Sequence, residues 1–149
     1  MGLLALGLGS SCTPDRDLRP MCLPQIDVDG CTPLYPAEFP VIFDQVLRVT
    51  CGAGGTNCHD DAGRKGGLAF VTQSEAYAAL TGMDGGKIRV VPGDPACSEM
   101  MVRLDLVGHE WSMPPAAALD ERARCSIRRW IAGGALASPT AAALPADAP

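Results

Sequence analysis

Aromatic residues are scarce: Trp, Tyr and Phe together make up 5% of the 149 positions. Although 47% of the chain is hydrophobic, much of that share is alanine. Its own side chains therefore build only a modest core, and a large apolar prosthetic group would add the buried surface they lack. A net charge of −5 and a pI near 4.8, with no lysine-rich run and no basic stripe interleaved with aromatics, set nucleic acid aside as a partner. The apolar run at the start, Met1 to Ser11, is too short to span a bilayer. No internal repeat occurs, and nothing resembles an activated nucleophile. Asp60-Asp61 reads as a solvated turn and not as a carboxylate pair for acid–base work, so the chain is expected not to be an enzyme. Its length fits one domain plus tails.

Cysteine, by contrast, is abundant, with seven residues, and that count fits an oxidising compartment. The segment MGLLALGLGSS followed by Cys12 resembles the end of a bacterial lipoprotein signal, in which the cysteine is lipidated. A charged n-region is missing, and Gly9 stands where a leucine is usual; a truncated gene start would account for the charges. The expected location is extracytoplasmic, either periplasmic or as an outer-membrane-anchored lipoprotein. Contact with a membrane is expected only through a lipid on Cys12. Residues 1–12 are read as the truncated signal and 13–38, with Pro14, Pro20, Pro24, Pro33 and Pro36, as a proline-rich tether. Residues 39–136 form the domain, and the alanine–proline stretch 137–149 reads as a disordered tail.

The chemistry centres on Cys51-Gly-Ala-Gly-Gly-Thr-Asn-Cys58-His59. Two thiols, the second followed directly by an imidazole, are the reagents that attach a haem covalently and supply its proximal ligand. The usual spacing is C-x-x-C-H, whereas here it is C-x6-C-H. Gly52, Gly54 and Gly55 make an outward bulge of the extra residues sterically feasible. The alternative is a Cys51–Cys58 disulfide closing a surface loop, with His59 a bystander.

Four helices with long irregular loops are predicted. Phe39 to Thr50 carries apolar residues at helical spacing, with Pro40 suited to its first turn. Ser74 is read as the cap of a helix over Glu75–Leu80 that ends at Gly82. A third helix runs from Pro95 or Ala96 to Val107, and a fourth from the Asp120 cap to about Ala132. Extended pieces are expected at Leu68–Val71 and Ile88–Val91.

An iron held by one histidine needs a sixth ligand for electron transfer, and a thioether stabilises its ferrous state. Met113 lies 54 residues after His59 in an irregular loop and is followed by Pro114 and Pro115, which hold that loop to one shape. An isolated Met-Pro-Pro would read as a core filler before a turn. Here it stands in an ordered set. Cys58-His59, Lys65-Gly66-Gly67-Leu68, Val91-Pro92-Gly93-Asp94-Pro95 with Ser98, Met113-Pro114-Pro115 and Arg129-Trp130-Ile131-x-x-Gly134-Ala135 resemble the cytochrome c-like domain of planctomycete and myxobacterial extracytoplasmic proteins. The resemblance covers about residues 40–135.

It implies an all-α, small cytochrome c-like fold carrying one covalent haem c, with Cys51 and Cys58 in thioether bonds, His59 proximal and Met113 distal. It implies a monohaem electron carrier served by a redox partner protein. The alternative is a haem-free, disulfide-stapled lipoprotein acting as an interaction module. A metal site of Cys58, His59 and His109 is a poorer reading, since structural zinc takes four spaced ligands. His109 is also a candidate to replace Met113, and Arg64, Arg89, Arg103 or Trp111 to meet a propionate. Trp130 is expected to pack the last helix on the first, near Phe43 and Val46. With Cys12 lipidated, six cysteines allow 15 pairings. Assigning Cys51 and Cys58 to haem and pairing Cys22–Cys31 and Cys97–Cys125 leaves no odd thiol.

Overall fold

The computed structural model describes residues 22–53, 58–115 and 117–138. The expected signal and lipid site at Cys12, the first part of the expected tether, residues 54–57 of the expected glycine bulge and the tail from 139 onward lie outside the described residues. Within them the protein is all-α and small. Its elements are α1 (Phe39–Ile42), a π-helical segment (Phe43–Cys51), a 3-10 turn (Lys65–Gly67), α2 (Gln73–Thr81), α3 (Glu99–Asp105) and α4 (Glu121–Ala132). Among the described residues the extended pieces pair only through one isolated bridge, Val91 with Asp94.

The first helix begins with Pro40 in its opening turn and winds wider from Phe43 onward. The Gly52 N–H reaches the Leu47 carbonyl, five residues back, at 2.7 Å, the π-type pattern that often marks a functional stretch. A Cβ on Gly52 would lie 3.0 Å from the Arg48 carbonyl oxygen and 3.1 Å from that of Phe70, so glycine lets the end of this helix press against the 68–70 segment.

α2 is capped by Thr72 and not by Ser74. The Thr72 hydroxyl accepts the Glu75 N–H at 3.3 Å and donates to the Glu75 carboxylate at 2.7 Å. Thr72 and Glu75 have the spacing of a capping box, which prevails over the serine nearer the helix. α3 starts later than its apolar pattern implies, because Val91–Ser98 is taken up by a turn. There the Ser98 hydroxyl donates to Asp94 O and accepts the Val91 N–H, while the Asp94 carboxylate accepts the Cys97 N–H. α4 forms where expected, with the Asp120 carboxylate accepting the N–H groups of Arg122 and Ala123.

The core gathers Phe39, Ile42, Phe43, Val46 and Leu47 with Leu80, Met101, Ile127, Trp130 and Ile131. Phe39 sits at its aromatic centre. Its ring meets Trp130 at 5.0 Å and the edge of Tyr77 at 5.2 Å. Trp130 therefore joins α4 to α1 through Phe39, within the same cluster as Phe43 and Val46. A buried ion network adds to the α3–α4 contact: Asp105 accepts from Arg124 at 2.7 Å and from Arg128 at 2.9 and 3.1 Å.

The disulfides are Cys22–Cys97 and Cys31–Cys125, not the Cys22–Cys31 and Cys97–Cys125 pairs expected. The reason is where residues 22–38 run. Leu23 N–H bonds Ala96 O, Leu34 N–H bonds Arg122 O, Tyr35 exchanges two hydrogen bonds with the Ser126 hydroxyl, and Arg129 donates to the carbonyls of Val28, Asp29 and Cys31. This part of the proline-rich stretch is thus a strap bound along α4 and not a free tether. It carries Cys22 to the turn before α3 and Cys31 to α4. Sequence separations of 75 and 94 residues make each bridge the closure of a long loop, worth about 4–5 kcal/mol in the chain-entropy account.

Candidate functional site

Cys51 ends the π-helical segment, and its carbonyl accepts the His59 N–H at 3.1 Å. His59 in turn accepts the Phe70 N–H at 2.7 Å, and Cys58 accepts that of Lys65 at 3.3 Å. The cysteine–histidine stretch is thus clamped between the first helix and the 65–70 turn. Gly66 and Gly67 take φ of 63° and 73° there, values that favour glycine. Arg89 ties this turn to α2, donating to Gly66 O at 2.7 Å and Ala79 O at 2.8 Å. On the other side, the Met113 N–H bonds the Arg103 carbonyl at 2.8 Å, and the Met113–Pro114 peptide is cis.

All four predicted residues, Cys51, Cys58, His59 and Met113, line one cavity of about 380 Å³. That volume lies in the range of small-molecule and cofactor sites. Leu47, Leu68, Phe70, Leu80, Met100 and Leu104 make its walls largely apolar, and Lys65, Lys87, Arg89, Arg103 and Glu99 are its charged members.

Residues 56–117 match the family model described as planctomycete cytochrome C. The match runs from just before Cys58 past Met113-Pro114-Pro115 and supports a cytochrome c-like domain. No curated protein and no solved structure matches the chain significantly.

The donor set fits a haem on two observations. His59 lines the cavity, and its Nδ1 is buried without a hydrogen-bonding partner among the described residues. Burial, seconded by Arg89 and Arg103, holds this imidazole below its ordinary pKa, while the nearby backbone at Lys65 and Leu68 acts the other way. The neutral form so favoured is the one that binds a metal. Secondly, four of the six described cysteines pair with each other and leave Cys51 and Cys58 as free thiols on the cavity wall. Burial, and then the neighbouring Cys58, push the Cys51 thiol up to about 11. No Cys51–Cys58 disulfide is present.

His109 lies apart from this constellation. It lines a neighbouring cavity of about 270 Å³ that Met113-Pro114-Pro115 also border, with its ring 5.3 Å from Trp111. Met113, and not His109, shares the cavity with His59. Among the described residues no three His, Cys, Asp or Glu side chains converge as a metal site, so a Cys58–His59–His109 set is not assembled. Of the proposed propionate partners, Arg89 and Arg103 line the cavity, whereas Arg64 pairs with Asp61 at the surface and the Trp111 indole donates to Glu110. Two cavity residues escaped the sequence reading: Glu99, 7% exposed, and Lys87, joined to it at 3.0 Å. The i,i+4 spacing of Glu99 and Arg103 was the visible signal, but such pairs are common on solvated helix faces.

Proposed function

We propose that the chain is an extracytoplasmic monohaem c-type cytochrome that carries single electrons. The convergence of two free thiols, an imidazole and a thioether on one largely apolar cavity carries this reading. The family match over residues 56–117, which includes His59 and Met113, supports it. Cys51 and Cys58 would attach the group by adding their S–H bonds across its vinyls, and His59 and Met113 would be the residues that hold its iron. Bound haem supplies an Fe(II)/Fe(III) couple, and the methionine thioether raises its potential. With His59 and Met113 both committed to the iron, the role would be transfer and not catalysis. Arg89 and Arg103 are the cavity's cations suited to propionates. A redox partner protein docks through a small, transient interface. A lipid on Cys12 provides membrane attachment.

The test is expression in a host with cytochrome c maturation, followed by denaturation in acid and solvent. Haem absorbance that stays with the polypeptide, together with a mass increase of one haem and no titratable thiol at Cys51 or Cys58, is the expected result. A colourless protein whose mass shows both thiols unmodified would refute the electron carrier and leave the haem-free interaction module.

A further inference from the structure

Among the described residues Glu99 is the cavity's one acidic residue, and it is almost completely buried, with a side chain 5% exposed. Its carboxylate is gripped from two directions. Lys87 reaches it at 3.0 Å, and Arg103, one turn along α3, reaches it with Nε and Nη2, both at 3.0 Å. Burying a carboxylate is costly unless it is paired and hydrogen-bonded, and the position of such a group is correspondingly well defined.

Arg103 then continues toward the loop that bears the methionine. Its Nη1 donates to the Trp111 carbonyl at 3.4 Å, and its own carbonyl accepts the Met113 N–H at 2.8 Å. Inside the loop, Ser112 bonds back to the His109 carbonyl through both its N–H and its hydroxyl, and His109 N–H bonds Leu106 O. Those contacts shape the loop, while among the described residues its hydrogen bonds to α3 run through Arg103. Met113 also borders the second cavity.

From this we infer that Arg103, fixed by buried Glu99 and Lys87, is a positioning residue that sets where Met113 stands in the cavity. The inference rests on Met113 being the distal ligand proposed above. A thioether is a weak, neutral ligand, and iron–sulfur bonding of this kind depends on a sulfur held in place by its surroundings. Arg103 acts through the loop and through the Met113 backbone, and its charge serves the carboxylate at the same time.

The experiment compares Arg103→Gln and Glu99→Gln with the wild-type full chain. Amide hydrogen exchange is followed residue by residue, and in the haem-loaded samples the far-red absorption that reports sulfur–iron(III) bonding is followed as well. In Arg103→Gln the Met113 N–H keeps its own acceptor, the backbone carbonyl at 103, so its exchange reports loosening of the loop and not deletion of a bond. The expected result is exchange at Met113 faster by about tenfold or more, with Ile127 and Trp130 in α4 unchanged, and a smaller effect in the same direction for Glu99→Gln. The far-red band, normalised to the covalent haem each sample carries, should weaken. Unchanged exchange at Met113, or an equal acceleration at Ile127 and Trp130, would overturn the inference. If Arg103→Gln does not fold, Arg103→Lys takes its place: it keeps a cation for Glu99 but cannot also span to Trp111, and the same selective change is required of it. Absence of haem from the wild-type protein would sink the cytochrome reading, while the exchange measurement would still decide the clamp.

Discussion

Replacing Asp105 with alanine should be among the most damaging single changes outside the cavity. Asp105 lies at the end of α3 with its side chain 12% exposed, and it accepts three hydrogen bonds from Arg124 and Arg128. Arg128 is the more deeply placed partner, with its side chain 7% exposed. Burial works against its charge, but the hydrogen bonds and charges of Asp105 and Glu121 outweigh that and raise its pKa. Deleting one partner of a buried pair costs about 3–5 kcal/mol, because the other charge is left stranded. Glu121 still reaches Arg128 at 2.6 Å, but it is half-exposed and therefore screened, which puts the loss near the lower end, at about 3 kcal/mol. For a domain of this size that corresponds to a fall in Tm of roughly 12–20 °C. Thermal unfolding followed by circular dichroism under non-reducing conditions measures it. The double variant Asp105→Leu/Arg128→Met should recover much of the stability, since an apolar pair leaves no stranded charge. A loss below about 1 kcal/mol for Asp105→Ala, or a double variant no better than the single one, would refute the assignment of stability to this network.

Other outcomes follow from the site and the strap. In the haem-loaded protein Met113→Ala should abolish the far-red sulfur–iron(III) band while leaving covalent haem in place; survival of the band would mean another ligand is used. Cys31→Ser should lower stability by about 2–5 kcal/mol in denaturant titrations, and mass mapping should show Cys125 as a lone thiol and Cys22–Cys97 intact; a remapped bridge would contradict the strap's path. The haem-free protein should lose stability as pH rises from about 9 to about 11. The Cys51 thiol keeps its proton in the folded state while the unfolded chain releases it near 9.0, so the folded state binds more protons in that window. Cys51→Ala should flatten this decline, and an unchanged pH profile would show that Cys51 is not buried as described.

Much of the helical order could be read along the chain because it rests on local signals. The Asp120 cap, the first-turn Pro40 and the glycine after α2 each act within one helical turn, and all three recur in the folded protein. The misassigned cap shows the limit of such signals. Thr72 and Ser74 both suit a cap, and reciprocal bonding with Glu75 decides between them. The late start of α3 has the same origin, since Asp94 and Ser98 consume in a turn the residues that apolar spacing assigns to a helix.

The adjacent Cys58 and His59, and the ordered motif set that includes Met113-Pro114-Pro115, singled out Cys51, Cys58, His59 and Met113 as a candidate set. Their meeting in one cavity depends on tertiary contacts: Gly52 lets the first helix press against Phe70, and Arg103 holds the methionine loop. Disulfide pairing was beyond reach for the same reason. Cys22 finds Cys97 and Cys31 finds Cys125 only because residues 22–38 lie along α4, held by hydrogen bonds to Ser126 and Arg129 about 90 to 100 positions away. Burial likewise turns Glu99, an ordinary helix-face acid by its spacing, into a fixed charge on the cavity wall. Local chemistry is written in short runs of residues, whereas desolvation and long-range pairing belong to the assembled chain.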